Sequence, residues 1–313
     1  MGGLKLLNYI LTIVNQIFIM FLLMLVGYIL SKKDILNEEG TKQISSVLML
    51  IATPAVIIAS YQREFEAELA KKLFMVFIFC LIGYAISLIL AELLFRKSAN
   101  DYQDKRMCIV FSNNGFMAIP LLQALLGSTG VFLGSAHIVL GNVFLWTYGA
   151  KTMGREKYKM SLKTALINPG VFAMAGGFLL FISPAKLPDN VYQVLNYLGA
   201  LNTPLAMIIL GTFLAKTDLA ECIKDTSIYI ISFYKLILVP TALMVILLIL
   251  PADKIMAATL LIGTAAPTGI IAAMFAQRFD TNYIYSTKII AQTTLLCIIT
   301  MPIFLTIIEF FWK

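Results

Sequence analysis

Asn113 and Asn114 stand side by side in the stretch FSNNGFMAIPLLQALLG, residues 111–127, with Gly115 next and Pro120 a little further on. A second stretch, GTAAPTG at residues 263–269, holds Thr264, Pro267 and Thr268. Side-chain amides and hydroxyls on a backbone interrupted by glycine and proline are poor tools for breaking bonds. They are good tools for holding a solute. An amide offers two donors and an acceptor. N–H groups left free at the start of a half-helix favour a carboxylate or another anion. The chemistry expected of these residues is reversible binding, with no catalytic residue.

The elements that position them follow from composition. The chain is 60% hydrophobic and 13% charged, with mean hydropathy +0.88. Soluble domains are about 45–50% apolar and about 25% charged, and none of this length buries so much apolar surface. The solvent of most of this chain is lipid. Lipid offers no partner to a backbone N–H or C=O, so only helices and closed barrels cross it. The apolar runs, such as residues 72–95, last for helix lengths without alternation, which selects helices. The chain reads as an all-α membrane protein.

Ten spans are expected, near residues 8–30, 43–60, 72–95, 105–125, 130–150, 164–182, 191–215, 226–250, 255–276 and 284–311. The first carries no cleavage pattern and reads as a helix, not as a removed signal peptide. Polar stretches 31–42, 96–106 and 151–163 read as loops, and no soluble domain is expected. The loops after odd-numbered spans hold sixteen of the 24 Lys and Arg residues, among them Lys32, Lys33, Arg96, Arg106, Lys151, Arg155, Lys157, Lys159 and Lys163. Positive loops stay inside. That side is therefore cytoplasmic, both termini face outward, and the protein belongs in the cell membrane. The same topology explains the net charge of +7 without nucleic acid as a partner.

The two halves echo each other. LIATPAVII (50–58) resembles ALNTPLAMI (200–208), DKRM (104–107) resembles DKIM (253–256), and Pro120 answers Pro267. The offset stays at about 150 residues, and five spans per half turn the copies upside down relative to each other, the inverted-repeat plan of secondary transporters. The repeats run 1–150 and 164–313, joined by a cytoplasmic link at 151–163.

Pro120 and Pro267 fall inside the fourth and ninth spans and are expected to break them near mid-membrane. Gly115 and Gly263 lie upstream of them. Non-helical backbone at that depth must line protein or a cavity. Asn113, Asn114, Gly115, Pro120, Thr264, Pro267 and Thr268 are the binding candidates. A lone membrane asparagine usually bridges helices, but a pair beside a glycine and a proline in a repeat-matched span points to a site. Thr264 and Thr268 have the alternative of bonding carbonyls freed by Pro267. Asn202, beside Thr203-Pro204, joins the set, as do Asn142 and Gln292 in the fifth and tenth spans. Pro54 and Pro204 read equally as kinks or as lining.

Charge inside the spans is scarce. No Asp or Glu is expected at mid-span, which argues against a buried carboxylate relay for cations. Lys235 lies well inside the eighth span, as a charge partner for an anion or as part of the scaffold. His137 is expected to pack against a neighbouring helix. Cys80, Cys108, Cys222 and Cys297 show no CxxC spacing, and one histidine makes no metal cluster. No metal or cofactor is expected.

SNNGFMAIPL (112–121), GTAAPTGIIAAMFAQRF (263–279) and QTTLLCIITMPIFL (292–305) resemble the auxin efflux carrier family, which includes the plant PIN-FORMED proteins and many bacterial permeases. The resemblance covers essentially the whole chain, and the short link at 151–163 fits the bacterial members. It implies a ten-helix fold related to bile-acid symporters and sodium/proton antiporters. Spans 1, 2, 6 and 7 would form a scaffold, and spans 3–5 and 8–10 a moving transport domain. Spans four and nine would cross at Pro120 and Pro267, with a substrate carboxylate beside them. Family members tend to be homodimers. They move organic anions: auxin in plants, with malate or malonate proposed for bacterial members. Departure from the plant pattern around the scaffold favours a small carboxylate here.

Together these readings describe a secondary transporter for carboxylate-bearing organic anions, malate- or malonate-like or auxin-like, working by alternating access. No GxxxxGK[ST] motif supplies a nucleotide. An anion leaving a cell that is negative inside needs no coupled ion, whereas uptake needs a proton or sodium ion. The alternative is a sodium- or proton-coupled symporter of another small solute on the same fold. One histidine and no carboxylate pair argue against an enzyme.

Overall fold

A computed structural model describes residues 2–96, 101–154, 167, 169–183 and 185–312. Arg155, Lys157, Lys159 and Lys163, most of the 151–163 link and the start of the expected sixth span lie outside the described residues. The described backbone is helical and contains no strand; one isolated bridge, Ser112 to Thr268, is its extended pairing. Seven helical runs are long and apolar enough to cross a membrane: Val14–Lys32, Glu38–Tyr61, Ala67–Leu94, Asn114–Gly154, Asp189–Ala215, Thr226–Ile249 and Tyr283–Phe311. Two shorter apolar helices are Pro169–Ile182 and Lys254–Ala265. The run Asn114–Gly154 has 41 residues, too long for one crossing of a core of about 30 Å at about 1.5 Å per residue. Gly127 divides it, with φ 61° and ψ −153°, a conformation that only glycine adopts freely.

The two interruptions expected in the fourth and ninth spans are present. The second lies at its proline: helix Lys254–Ala265 ends, Ala266 is extended as the residue before proline must be, and helix Ile271–Arg278 follows. The first does not lie at Pro120. Helix Tyr102–Val110 stops at an extended Phe111, and helical structure resumes at Asn114 and runs on through Pro120. Gly115 also lies in that resumed helix, past the break rather than in it.

The reason is a wider turn. A proline in a helix drives its ring into the carbonyl four residues back. Pro120 is preceded by the π turn Asn114–Ala118, whose central residue, Phe116, carries that carbonyl. The extra residue per turn moves the carbonyl aside and supplies a bonding pattern one residue longer. Pro54 follows the π turn Leu48–Ala52 at the same two-residue distance, and Pro240 follows Tyr234–Leu238 likewise. A helix in lipid has no water to satisfy the groups that proline orphans, and at these three prolines it widens instead of breaking, whereas at Pro267 it breaks.

The chain forms two compact units: Met1–Phe77, Gly115–Val139 and Leu166–Lys216 in the first; Ile78–Asn114, Leu140–Ala165 and Thr217–Lys313 in the second. In the first, helix Gly2–Lys32 packs along Asn202–Ala215, and Thr53–Tyr61 packs against Pro169–Ile182 and Asp189–Ala200. The core of the latter group is aromatic. The Tyr61 ring lies 4.4 Å from Phe132 and 6.5 Å from Phe181, centre to centre. The Ser135 hydroxyl donates to the Phe132 carbonyl, so it accepts from the Tyr61 hydroxyl, 2.7 Å away. Tyr61→Phe keeps the ring and loses this bond, at about 1 kcal/mol. Tyr61→Leu also loses the ring packing, at about 3 kcal/mol. Melting of the two purified variants should follow that order, and a Tyr61→Phe midpoint equal to wild type would exclude a role for the hydroxyl.

Candidate functional site

The two interruptions meet in the second unit. The Asn113 amide donates to the Pro267 carbonyl at 2.7 Å, and the Gly269 amide donates to the Phe111 carbonyl at 2.8 Å. These two bonds make Ser112 and Thr268 an antiparallel pair. Each broken segment thus satisfies backbone groups of the other, which apolar surroundings demand. Side chains complete the joint. The Thr268 hydroxyl donates to the Cys108 carbonyl at 2.8 Å, and the Thr268 amide donates to the Thr293 hydroxyl at 3.2 Å. The Ser112 hydroxyl donates to the Thr264 carbonyl at 3.3 Å.

Lys235 reaches the joint from the π turn of the eighth expected span. Its ammonium donates to the Ser112 hydroxyl oxygen. The lysine is 1% exposed and Ser112 is half-buried, so the charge sits behind the serine. No carboxylate pairs with Lys235 among the described residues. Ser112 therefore presents a hydroxyl polarised by a buried cation, beside two helices that restart at Asn114 and Ile271. Helix starts leave their first N–H groups without a carbonyl one turn back. Positive potential at such a place suits an anion.

Asn114 is buried within hydrogen-bonding reach of the Tyr84 hydroxyl, and the Tyr84 ring stacks 4.7 Å from Phe144. The Oδ1 of Asn114 has no partner among the described residues. Gln292 is buried on the long last helix, where its Oε1 accepts from Ser232 at 2.6 Å and its Nε2 donates to the Cys222 carbonyl at 2.8 Å. Both ends of its amide join the last helix to other parts of the unit. Asn142 is half-buried in the same unit.

Asn202 belongs to the first unit. It is buried, and its Oδ1 accepts from the Thr53 hydroxyl at 2.8 Å; its Nδ2 has no partner among the described residues. Thr53-Pro54 and Asn202-Thr203-Pro204, paired in sequence by the repeat, are thus also bonded in space. Gly115, Pro120 and the buried His137 lie in the first unit as well. The structure brings together Asn113, Thr264, Pro267, Thr268 and Lys235, and adds Ser112, the Cys108 carbonyl and Thr293. Ser112 opens the SNNG stretch and Thr293 follows Gln292, so both were adjacent to recognised signals, but hydroxyl residues are common in membrane helices.

One carboxylate is deeply placed. Asp104, at the start of helix Tyr102–Val110, is fully buried. It accepts from the Thr281 hydroxyl at 3.0 Å, the Ser286 hydroxyl at 3.0 Å and the Asn282 amide at 3.3 Å.

Comparison with known proteins places this geometry in context. The family model described as "Membrane transport protein" matches residues 12–159 and 151–305. A protein of Methanothermobacter thermautotrophicus named as an uncharacterized transporter is 23% identical over 288 residues, covering 90% of this chain and 93% of the relative. One of Methanocaldococcus jannaschii, also named so, is 26% identical over 212 residues, 64% of this chain and 68% of the relative. An Escherichia coli protein named as the uncharacterized transporter YfdV is 20% identical over 302 residues, 90% of this chain and 93% of the relative.

Proposed function

This chain belongs to the membrane transport protein family, to which the auxin efflux carriers belong, and from that premise we propose that it is a secondary transporter of carboxylate-bearing organic anions. The observation that carries the substrate class is the buried Lys235 ammonium on the Ser112 hydroxyl, at a crossing of two interrupted helices. A small carboxylate, malate- or malonate-like, docks on the Ser112 side with the amides of Asn113 and Asn114 beside it. The reading takes the chain as ten spans in two inverted repeats, with the kink at Gly127 separating the fourth span from the fifth. The grouping of the first, second and seventh expected spans in one unit, and of the eighth to tenth in the other, supports a scaffold and a transport domain that alternate access by moving against each other, although residues 115–139 of the expected fourth and fifth spans group with the first unit. We take the functional form as a homodimer in the cell membrane with both termini outside.

The unpartnered Asn114 Oδ1 favours a second reading. It is an acceptor, and a carboxylate does not satisfy it. A sodium ion, or a proton carried on the substrate, would. Uptake that requires either cation gradient would identify a coupled symporter.

The test is thermal stabilisation of the purified protein by a set of organic acids including malate, malonate and indole-3-acetate. A ligand at a hundred times its Kd stabilises by about 2.7 kcal/mol. Asn114→Ala should weaken the hit about ten-fold or more, the worth of a hydrogen bond to a charged group. Saturable counterflow of the same acid in liposomes should follow. Full stabilisation of Asn114→Ala, or no response to any acid in the set, would sink the assignment.

A further inference from the structure

Among the seven membrane-crossing runs, every other Asp, Glu, Lys or Arg lies within about six residues of an end, where side chains reach water. Lys235 is the exception, ten residues into Thr226–Ile249. It is buried, it is bonded to Ser112 at the crossing, and the described residues give it no acidic partner. The thiols of Cys108 and Cys297 are both buried in the same unit. A charge so placed lies within the membrane field and travels with whatever part carries the crossing.

We infer that Lys235 is a tethered cation that makes the empty carrier the voltage-sensitive state of the transport cycle. The inference rests on the transporter reading. An empty site carries the lysine charge alone, a bound monocarboxylate cancels it, and a malate- or malonate-like dianion leaves one negative charge. A site loaded with a monoanion then moves without regard to membrane potential. An interior-negative potential draws the empty site back toward the cytoplasm. Exchange of one monoanion for another is therefore electrically silent, while net export is driven by voltage at the return step. No inorganic cation has to be co-transported, because the protein supplies one. The field acts with about 2.3 kcal/mol per charge per 100 mV, so the ratio of inward- to outward-facing empty carriers changes up to about fifty-fold over 100 mV.

The experiment needs no substrate. Purified full-length protein is reconstituted in a supported bilayer, in buffer free of carboxylates, and stepped in voltage. The expected result is a transient, saturating charge movement with an apparent valence between zero and one. Lys235→Met should abolish it and Lys235→Arg should preserve it. Wild-type protein without charge movement overturns the proposal, and so does Lys235→Met with the wild-type transient. Should Lys235→Met fail to fold, the wild-type measurement still decides, together with malonate at saturating concentration. Malonate, a dianion, should reverse the sign of the charge that moves, and an unchanged sign overturns the proposal. Stabilisation by an organic acid without a wild-type transient removes this inference and leaves the transporter reading. A wild-type transient without any acid binding removes the substrate class and leaves the tethered charge.

Discussion

Gly211→Val should leave little folded protein in the membrane. Helices Gly2–Lys32 and Asn202–Ala215 touch backbone to backbone at two glycines. A Cβ at Gly211 would lie 1.9 Å from the Met24 carbonyl oxygen and 2.8 Å from the Tyr28 nitrogen. A Cβ at Gly27 would lie 2.0 Å from the Ile208 carbonyl oxygen. The obstacle in each case is main chain, which has no rotamer to change. The helices must part along their length to admit even one methyl. In lipid their association rests on close packing, with no hydrophobic drive to replace it. Overpacking costs about 1–3 kcal/mol where side chains can yield, so about 3 kcal/mol is the floor here. Gly176, in helix Pro169–Ile182 of the same unit, has nothing within 4 Å of the same position. Gly176→Ala is therefore neutral, or stabilising by up to about 1 kcal/mol from helix propensity. Size-exclusion yield and melting of the two detergent-purified variants measure the contrast. A Gly211→Val protein that melts with wild type would mean the two helices do not approach as described.

Asp104→Ala is expected to have the next largest effect. The carboxylate holds the start of helix Tyr102–Val110 to the start of helix Tyr283–Phe311. Its Oδ1 accepts from the Thr281 and Ser286 hydroxyls and its Oδ2 from the Asn282 amide. Asp101, one turn earlier, accepts from the Asn282 side chain at 3.2 Å. Alanine leaves two hydroxyls and an amide without their acceptor, at about 1–3 kcal/mol for each group that stays buried. A total of about 3–5 kcal/mol follows. Asp104→Asn separates the contributions. It keeps an oxygen for the two hydroxyls but turns an NH2 toward the Asn282 N–H. Its loss should be near that of one bond, about 1–2 kcal/mol. Hydrogen exchange at Asn282–Ser286 should accelerate in the order wild type, Asn, Ala. Identical exchange in all three proteins would show that Asp104 does not pin this corner.

The helical class and the two interruptions were legible because both depend on local chemistry. Apolar runs longer than a strand leave a backbone in lipid one choice, and a glycine or proline in such a run marks a departure from it. Where the first departure falls was not legible. Pro120 is the obvious breaker, yet the chain breaks at Phe111–Asn113 and carries Pro120 in a widened turn. Whether a helix widens or breaks is decided by what receives its freed groups. At Asn113 that receiver is the Pro267 carbonyl, about 150 residues away. Asp104 shows the same limit. It sits at the polar edge of a loop in sequence, and the three donors that make its burial tolerable come from residues 281–286. Lys235 stood out as a charge in an apolar helix, but its attachment to Ser112 could not be read without the fold. The bonds of Gln292 to Ser232 and to the Cys222 carbonyl likewise join residues 60 and 70 positions apart.

The reciprocal amide bonds from Asn113 to Pro267 and from Gly269 to Phe111 act as a rivet through both interrupted helices. Rupturing either would strand a donor and an acceptor where no water stands ready to take them. The segments Phe111–Asn113 and Pro267–Gly269 are therefore tied to each other, and opening either gap as a hinge would cost both bonds.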